Sequence, residues 1–302
     1  MAAALVVLGL AAFSAGQSQG LPVYVSASLT DKNGLFIEDL GAGEVEILEN
    51  GQPRKIEFIA SGEVPTAYGI LFDRAMMGES PDLERRVGGQ LPSAMAARNV
   101  AYELIDKQLG KQVLWVGYYD NELHVALDFS SDAFAAHRAI QEIQGVRNPP
   151  PSFLYGGLFG AAQHMNERHE KRRVLLLFLE DVDSATLDKL KPLKNLLSVS
   201  NLELFCLRFG SRTLAGPGQM SPQMTESALR ELSSVTAGET FVASAYGDHM
   251  EDLSRRIYNH IRTFYTFGFR AESPRNDPGR LQIRCARSGS RIRIHPLVPV
   301  LP

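Results

Sequence analysis

The chain has 302 residues, 44% of them hydrophobic, so it can bury one substantial core or two smaller ones without disulfide or metal staples. Its 31 basic and 34 acidic residues give a net charge of -3 and are spread along the sequence without a basic stripe. This balance argues against nucleic acid and anionic membrane surfaces as binding partners.

The first 20 residues have the texture of a secretory signal peptide. Residues 2–13 are continuously apolar, and small and polar residues follow around Ser14 and Gly16, although the usual preceding basic residue is missing. The apolar run is shorter than a membrane span requires, and an uncleaved anchor is the alternative. We therefore expect a secreted, periplasmic or cell-envelope protein with a leader at 1–20 and no stable membrane span.

Residues 21–62 predict a β segment. Apolar and polar residues alternate from Val23 to Ser28, and a second apolar run begins at Val45. The pairs Asn33-Gly34 and Asn50-Gly51 follow these runs. Asn-Gly is favoured in two-residue hairpin turns because both turn positions need a positive φ.

Residues 63–263 alternate between apolar strands and helical stripes. The strongest strand lies at 174–179, where six consecutive apolar residues are typical of a strand that helices cover on both faces. Further strands are predicted at 67–72, 113–119, 123–127, 202–207 and 240–242, and helices at 97–109, 132–143, 154–168, 184–197, 221–238 and 253–261. This order predicts an α/β domain with a doubly wound, mostly parallel, Rossmann-like sheet.

Residues 264–302 return to a β texture, with strands expected at 264–269, 281–286 and 292–294. Both ends of the chain are thus β-rich and flank the α/β domain. We expect the segments 21–62 and 264–302 to pack together as one small β-rich subdomain.

The two cysteines, Cys206 and Cys285, lie in apolar segments that are predicted to belong to different layers. Export would permit a disulfide. Free cysteines are among the most buried residues, so two buried thiols are favoured, but the sequence leaves the pairing open.

Several strings, in their order along the chain, resemble the von Willebrand factor A-related (VWFA-related) proteins of acidobacteria. DKNG and ILENGQPRKI lie within residues 31–58, YYDNELHVALDFSSD lies at 118–132, and LRELSSVTAGETFVAS and HIRTFYTFGFR lie at 229–244 and 260–270. The resemblance covers nearly everything after the leader. It implies a von Willebrand factor A fold with its ligand site at the carboxyl ends of the strands, where open α/β sheets hold ligands.

In the resembled family this site is a metal-ion-dependent adhesion site. Its D-x-S-x-S motif falls on residues 73–77, where Asp73 is present but both serines are replaced, by Ala75 and Met77. Its threonine falls on Ser152 and its later aspartate on Glu180, with Asp181 as an alternative. Mg²⁺ prefers six hard oxygen ligands, which alanine and methionine do not offer. The resemblance therefore implies a degenerate site with no cofactor or at most weak Mg²⁺ binding.

The same rim carries apolar side chains that could form a binding surface. Met76, Met77, Phe153 and Tyr155 are expected in loops or helix starts at the carboxyl ends of the strands, and flexible apolar faces of this kind suit protein contacts. The alternative is that these side chains cover one another and seal the top of the sheet. The sequence does not decide between the two, because it does not show exposure.

The sequence lacks the usual catalytic signatures: it contains no Walker phosphate loop, no H-E-x-x-H zinc motif and no G-x-S-x-G nucleophile elbow. Gly156-Gly157 and Gly160 are expected to let a helix pack closely. His164 and His169 are expected to be solvated.

Asp181 and Asp183 are expected to cap a helix. We expect a non-enzymatic, adhesion-type or scaffold module that binds a protein ligand. The alternative is a divalent-metal-dependent enzyme or chelatase-like accessory factor that uses Asp73 and Glu180.

Overall fold

The computed structural model describes residues 21–32, 36–61, 65–77, 93–107, 112–145, 153–170, 172–200, 202–210, 218–244, 250–262, 264–271 and 281–294. The expected leader at 1–20 and the Asn33-Gly34 turn lie outside these ranges. So does the expected domain boundary at 62/63, and the domain limits stay predictions.

The strands are β1 (Leu21–Thr30), β2 (Val45–Glu49), β3 (Gln52–Arg54), β4 (Ile56–Ser61), β5 (Thr66–Asp73), β6 (Val113–Tyr119), β7 (Leu123–Ser130), β8 (Arg172–Leu179), β9 (Glu203–Gly210), β10 (Thr240–Ser244), β11 (Tyr265–Ala271), β12 (Leu281–Cys285) and β13 (Arg291–Ile294). The α-helices are α1 (Ser93–Lys107), α2 (Ala133–Glu142), α3 (Leu154–Asn166), α4 (Leu190–Val199), α5 (Pro222–Ser234) and α6 (Met250–Arg262). Short 3₁₀ helices span Ala42–Glu44 and Ser184–Lys189.

The central sheet has six strands in the order β10-β9-β8-β5-β6-β7. All neighbours are parallel except β6 and β7, which form an antiparallel hairpin. Helices α1, α2 and α6 cover one face, and α3, α4 and α5 cover the other. Every residue of β5 is buried between these two layers, which explains its unbroken apolar run. The expected doubly wound, mostly parallel α/β sheet is confirmed.

The two ends of the chain meet in two antiparallel sheets. One has the order β13-β1-β11-β4 and the other the order β12-β2-β3, so each combines amino-terminal and carboxyl-terminal strands. The expected small β-rich subdomain is thereby confirmed. Its β2–β3 turn has Asn50 at φ 53° and Gly51 at φ 79°, the positive angles that the Asn-Gly pair predicted.

Two local differences from the expected elements have physical reasons. The helix expected at 184–197 is a 3₁₀ helix followed by α4, because the ring of Pro192 would clash with the carbonyl four residues earlier in a continuous α-helix. Strand β9 continues to Gly210, three residues beyond its expected end, and so includes Arg208. None of the helices in the described part of the chain is long and apolar enough to cross a membrane.

Candidate functional site

Asp73 is the last residue of β5, at the carboxyl end of the central sheet, as expected. Its buried carboxylate accepts a hydrogen bond from the amide of Ala75 at Oδ1, 2.8 Å away. Asp73 also lies in register with Tyr119 on β6, and the Tyr119 hydroxyl lies within hydrogen-bonding reach of it. The Ala75 amide and the Tyr119 hydroxyl are thus polar groups that the fold places beside this carboxylate.

The charges of two carboxylates act on the buried phenol of Tyr119. Burial raises the pKa of its phenol well above the usual value, and the nearby charges of Asp73 and Asp183 raise the pKa further. The phenol is therefore protonated and acts as a hydrogen-bond donor. The charges of Asp73 and Asp183 thus both act on one buried hydroxyl, a pairing that the resemblance did not indicate.

Asp183 is held by the starts of two helices. Its Oδ1 accepts from the amide of Thr186 at 2.8 Å, while its Oδ2 accepts from the Thr186 hydroxyl at 2.6 Å and from the amide of Leu154 at 3.1 Å. One carboxylate therefore caps the 3₁₀ helix that follows β8 and also the first turn of α3. The expectation that Asp183 caps a helix is confirmed.

Asp181 has a different role from the one expected. It caps no helix but accepts from Nη2 of Arg208 at 3.1 Å. Its partner Arg208 lies on β9. Tyr119, the neighbour of Asp73, lies on β6, and strands β8 and β5 separate β9 from β6 in the sheet. Sequence reasoning missed Arg208 because the predicted strand ended at residue 207, directly before it. The signal that could have revealed it was the arginine itself, which directly follows the apolar run that ends at Leu207.

The described residues do not fit a Mg²⁺ site. The carboxylates of Asp73 and Asp183 are engaged by the contacts given above, and positions 75 and 77 carry no side-chain oxygen. Within the described ranges, no group of three or more His, Cys, Asp or Glu side chains could hold a metal ion. Ser152, the expected hydroxyl ligand, lies outside the described residues.

Met76 and Met77 are buried, and both pack into the core layer that contains α1 and α2. Of the two alternatives left open by the sequence, the structure therefore shows the sealing one for these two side chains. Neither thioether offers an exposed contact surface.

Phe153 and Tyr155 lie at the start of α3, where Phe153 is 40% exposed and Tyr155 is partly buried. Tyr155 stacks on Phe159, one helical turn later, with ring centroids 6.1 Å apart, and Phe159 is 39% exposed. We call Phe153, Tyr155 and Phe159 the aromatic rim.

The position of α3 is fixed by close backbone contacts. The amide of Phe153 donates to the carbonyl of Asp120 at 2.7 Å. A Cβ on Gly156 would lie 2.2 Å from the carbonyl oxygen of Asn121, and one on Gly157 would lie 2.4 Å from the Tyr119 ring. The expected packing role of these glycines is confirmed, and the aromatic rim rests on a rigid support.

Asp120, in the β6–β7 turn, contacts Arg74 and His124. Its carboxylate lies 2.9 Å from Nη1 of Arg74 and 2.9 Å from Nε2 of His124. Although desolvation acts in the opposite direction, the hydrogen bonds from His124 and Arg74 hold the pKa of Asp120 well below its usual range. Arg74, which follows Asp73 directly, is therefore an ion-pair partner of this turn.

His164 corrects one expectation of the sequence. It is 14% exposed rather than solvated, because α3 turns it toward the sheet, where it stacks on Phe129 at 4.9 Å and contacts the edge of Trp115 at 5.3 Å. Its Nε2 lies 3.2 Å from Asp128, and its Nδ1 lies 3.4 Å from Glu167. His169 is exposed, as expected.

No protein-family model and no curated protein matches this chain. The solved structures that are similar to it include the three described below. Proximal thread matrix protein 1 from the mussel byssus, solved with a zinc-occupied MIDAS motif, is 12% identical with a TM-score of 0.50, and the match covers 74% of this chain and 50% of that one. A von Willebrand factor type A protein from Catenulispora acidiphila is 12% identical with a TM-score of 0.47, over 91% and 73% of the two chains.

The conserved hypothetical protein BatB from Bacteroides thetaiotaomicron is 12% identical with a TM-score of 0.46, over 66% of this chain and 99% of that one. At these identities the likeness is one of fold. The α/β part of this chain has the von Willebrand factor A fold, as the match with the mussel protein indicates.

Proposed function

We propose that this chain is an exported, non-catalytic module of the von Willebrand factor A type that binds another protein without a divalent ion. The buried state of Asp73 is the observation behind the proposal, because its carboxylate accepts from the amide of Ala75 and lies within hydrogen-bonding reach of Tyr119, while the next side chains in the loop, Met76 and Met77, are buried in the core. Export is supported by the apolar leader at residues 1–20.

The aromatic rim is the binding surface that fits this proposal best. Phe153 and Phe159 expose a large part of their rings, and aromatic side chains supply much of the binding energy at protein interfaces. Residues 153–163 carry no charged side chain, so a partner would not have to desolvate a charge of α3 there. A partner that buries these rings would contact the carboxyl-end rim of the sheet.

Metal titration separates this proposal from the metal-dependent enzyme or chelatase-like factor. Isothermal titration calorimetry with Mg²⁺, Mn²⁺ and Ca²⁺ should show no micromolar binding to the wild-type chain. The same titrations on Asp73→Ala provide the comparison. Micromolar binding by the wild type that the substitution abolishes would overturn the metal-free proposal in favour of the rival.

The binding surface itself can be mapped by site-specific photo-crosslinking in the native host. A photoreactive amino acid at position 159 should capture a discrete protein partner, in EDTA as well as in Mg²⁺. Position 134 is the matched control, because Phe134 is exposed but belongs to α2, on the opposite face of the sheet. Phe153→Ser should reduce capture at 159. Equal capture at both positions, or loss of capture in EDTA, would contradict the proposal.

A further inference from the structure

Arg208 is a charged side chain near the end of an otherwise apolar, buried strand. It lies on β9 between Leu207 and Phe209, and only 1% of it is exposed. Arginine is almost never fully buried unless it is paired, because removing its charge from water is costly. The fold must therefore provide acceptors at this end of the sheet.

Each nitrogen of the Arg208 guanidinium has an oxygen partner. Nε donates to the carbonyl of Glu180 at 2.9 Å, Nη2 to Oδ1 of Asp181 at 3.1 Å, and Nη1 to Oε1 of Glu226 at 3.5 Å. Glu180 and Asp181 directly follow β8, and Glu226 lies on α5. One planar group thus joins β9 to the segment after β8 and to a helix.

These oxygens form a set that suits a cation. Two carboxylates and one carbonyl surround a buried positive charge, and the same oxygen types are those that hard divalent ions take. The carboxylates are partly exposed, at 19% for Asp181 and 31% for Glu226, so solvent screens them incompletely. Without the guanidinium, the carboxylates of Asp181 and Glu226 would lie close to the end of β9 and would have no positive charge from that strand.

We infer that Arg208 is a built-in cation of the carboxyl end of the sheet. It neutralises Asp181 and Glu226 and fixes the backbone at Glu180, so the segment after β8 keeps its place without a bound metal ion. It also holds Asp181 toward β9. Arg208 is a positioning residue, and this inference does not depend on the protein-binding function proposed above.

Charge rescue tests this role in the full chain. Arg208→Met keeps a long apolar side chain but removes the charge, and we expect its melting temperature to fall by several degrees. Adding Asp181→Asn and Glu226→Gln to that variant should recover at least half of the loss, because no uncompensated carboxylate remains. If the triple variant melts no higher than Arg208→Met, Arg208 acts by packing alone and the inference is overturned.

Two further measurements keep the test decisive. If Arg208→Met does not fold, Asp181→Asn with Glu226→Gln in the wild-type background should lower the melting temperature, because the buried guanidinium loses its counter-charges; an unchanged temperature would overturn the inference. The wild-type chain should melt at the same temperature in EDTA and in millimolar Mg²⁺ or Mn²⁺, and a rise of several degrees would contradict a built-in cation. The matched control is Arg255→Met, which breaks an exposed ion pair with Asp252 and should hardly change melting.

Discussion

Asp73 and Tyr119 lie in register on the adjacent parallel strands β5 and β6, and the phenol lies within hydrogen-bonding reach of the carboxylate. A carboxylate at this position would need a metal ion or hydrogen-bond donors to stay buried. Here the amide of Ala75 donates to it, and the Tyr119 hydroxyl is a second donor group beside it. The chain has thus stabilised the acidic group at its strand end with its own polar atoms.

Removal of the Tyr119 hydroxyl should destabilise the fold. Tyr119→Phe leaves the buried Asp73 carboxylate with one donor fewer, which we expect to lower the free energy of unfolding by about 1–3 kcal/mol. Denaturant unfolding monitored by circular dichroism measures the change. Tyr118→Phe is the control, because its partly exposed ring keeps its contacts with Arg74 and His124, and it should change stability by less than about 0.5 kcal/mol. Equal effects of the two substitutions would contradict the hydrogen bond as the cause.

Truncation of the buried thioethers should be costly. Met76→Ala and Met77→Ala each leave a cavity in the core layer that contains α1 and α2, and we expect each to lower the free energy of unfolding by about 2–5 kcal/mol. Met95→Ala is the matched control, since Met95 is exposed on α1, and its effect should stay within about 0.5 kcal/mol. Urea unfolding of the three variants gives the comparison. A near-zero effect at 76 and 77 would show that these side chains do not seal the sheet end.

Glu239 should make the fold sensitive to acid. Burial alone would raise the pKa of the Glu239 carboxyl. Hydrogen bonds and charge from His260 on α6 and Arg293 on β13 outweigh burial and lower this pKa from 4.5 to about 2. A lowered folded-state pKa stabilises the protein above pH 4.5, and this contribution is lost as the pH falls toward 2. It amounts to at most about 3 kcal/mol.

Glu239→Gln should therefore flatten the pH dependence of stability between pH 4.5 and 2. Unfolding free energies measured across this window test the expectation. Glu57→Gln removes a more exposed carboxylate that pairs with Arg270, and it should leave the slope unchanged. An identical slope in wild type and Glu239→Gln would refute the assignment.

The two thiols should differ in reactivity. Both cysteines are free, and burial raises the pKa of the Cys206 thiol to about 12, so almost no thiolate exists there at mildly alkaline pH. Cys285 is partly exposed at the end of β12. Maleimide labelling of the native chain, followed by mass spectrometry, should modify Cys285 first and Cys206 only after unfolding. The Cys285→Ser variant should resist labelling until denaturant is added.

Turn and cap residues in the sequence predicted much of the local structure. The Asn50-Gly51 pair predicted a hairpin turn, and a helix was expected from residue 221. In the structure Ser221 is the N-cap of that helix, and its hydroxyl accepts from the amide of Met224 at 3.3 Å. Such signals succeed because the relevant partner lies two or three residues away. The boundary of β9 was wrong because a buried arginine broke an apolar pattern whose continuation depended on distant partners.

The candidate site was predictable only in part. The strand that ends at Asp73 followed from its apolar run, since a covered strand must be apolar on both sides. The solvation of His164 was misjudged because its face on α3 is defined by packing against Trp115 and Phe129. The burial of Met76 and Met77 could not be read from residue type, because exposed and sealing arrangements use the same apolar side chains.

The sequence by itself determined the alternation of strands and helices, the β texture of both termini and the position of Asp73 at a strand end, because periodicity and turn chemistry act between near neighbours along the chain. Only the tertiary structure decided which polar side chains meet. Tyr119 lies beside Asp73 although 46 residues separate them in the sequence, and Arg208 binds Asp181 across 27 residues. Strand order and helix packing set the distances within these pairs. Those long-range contacts determine how this sheet end accommodates its acidic groups.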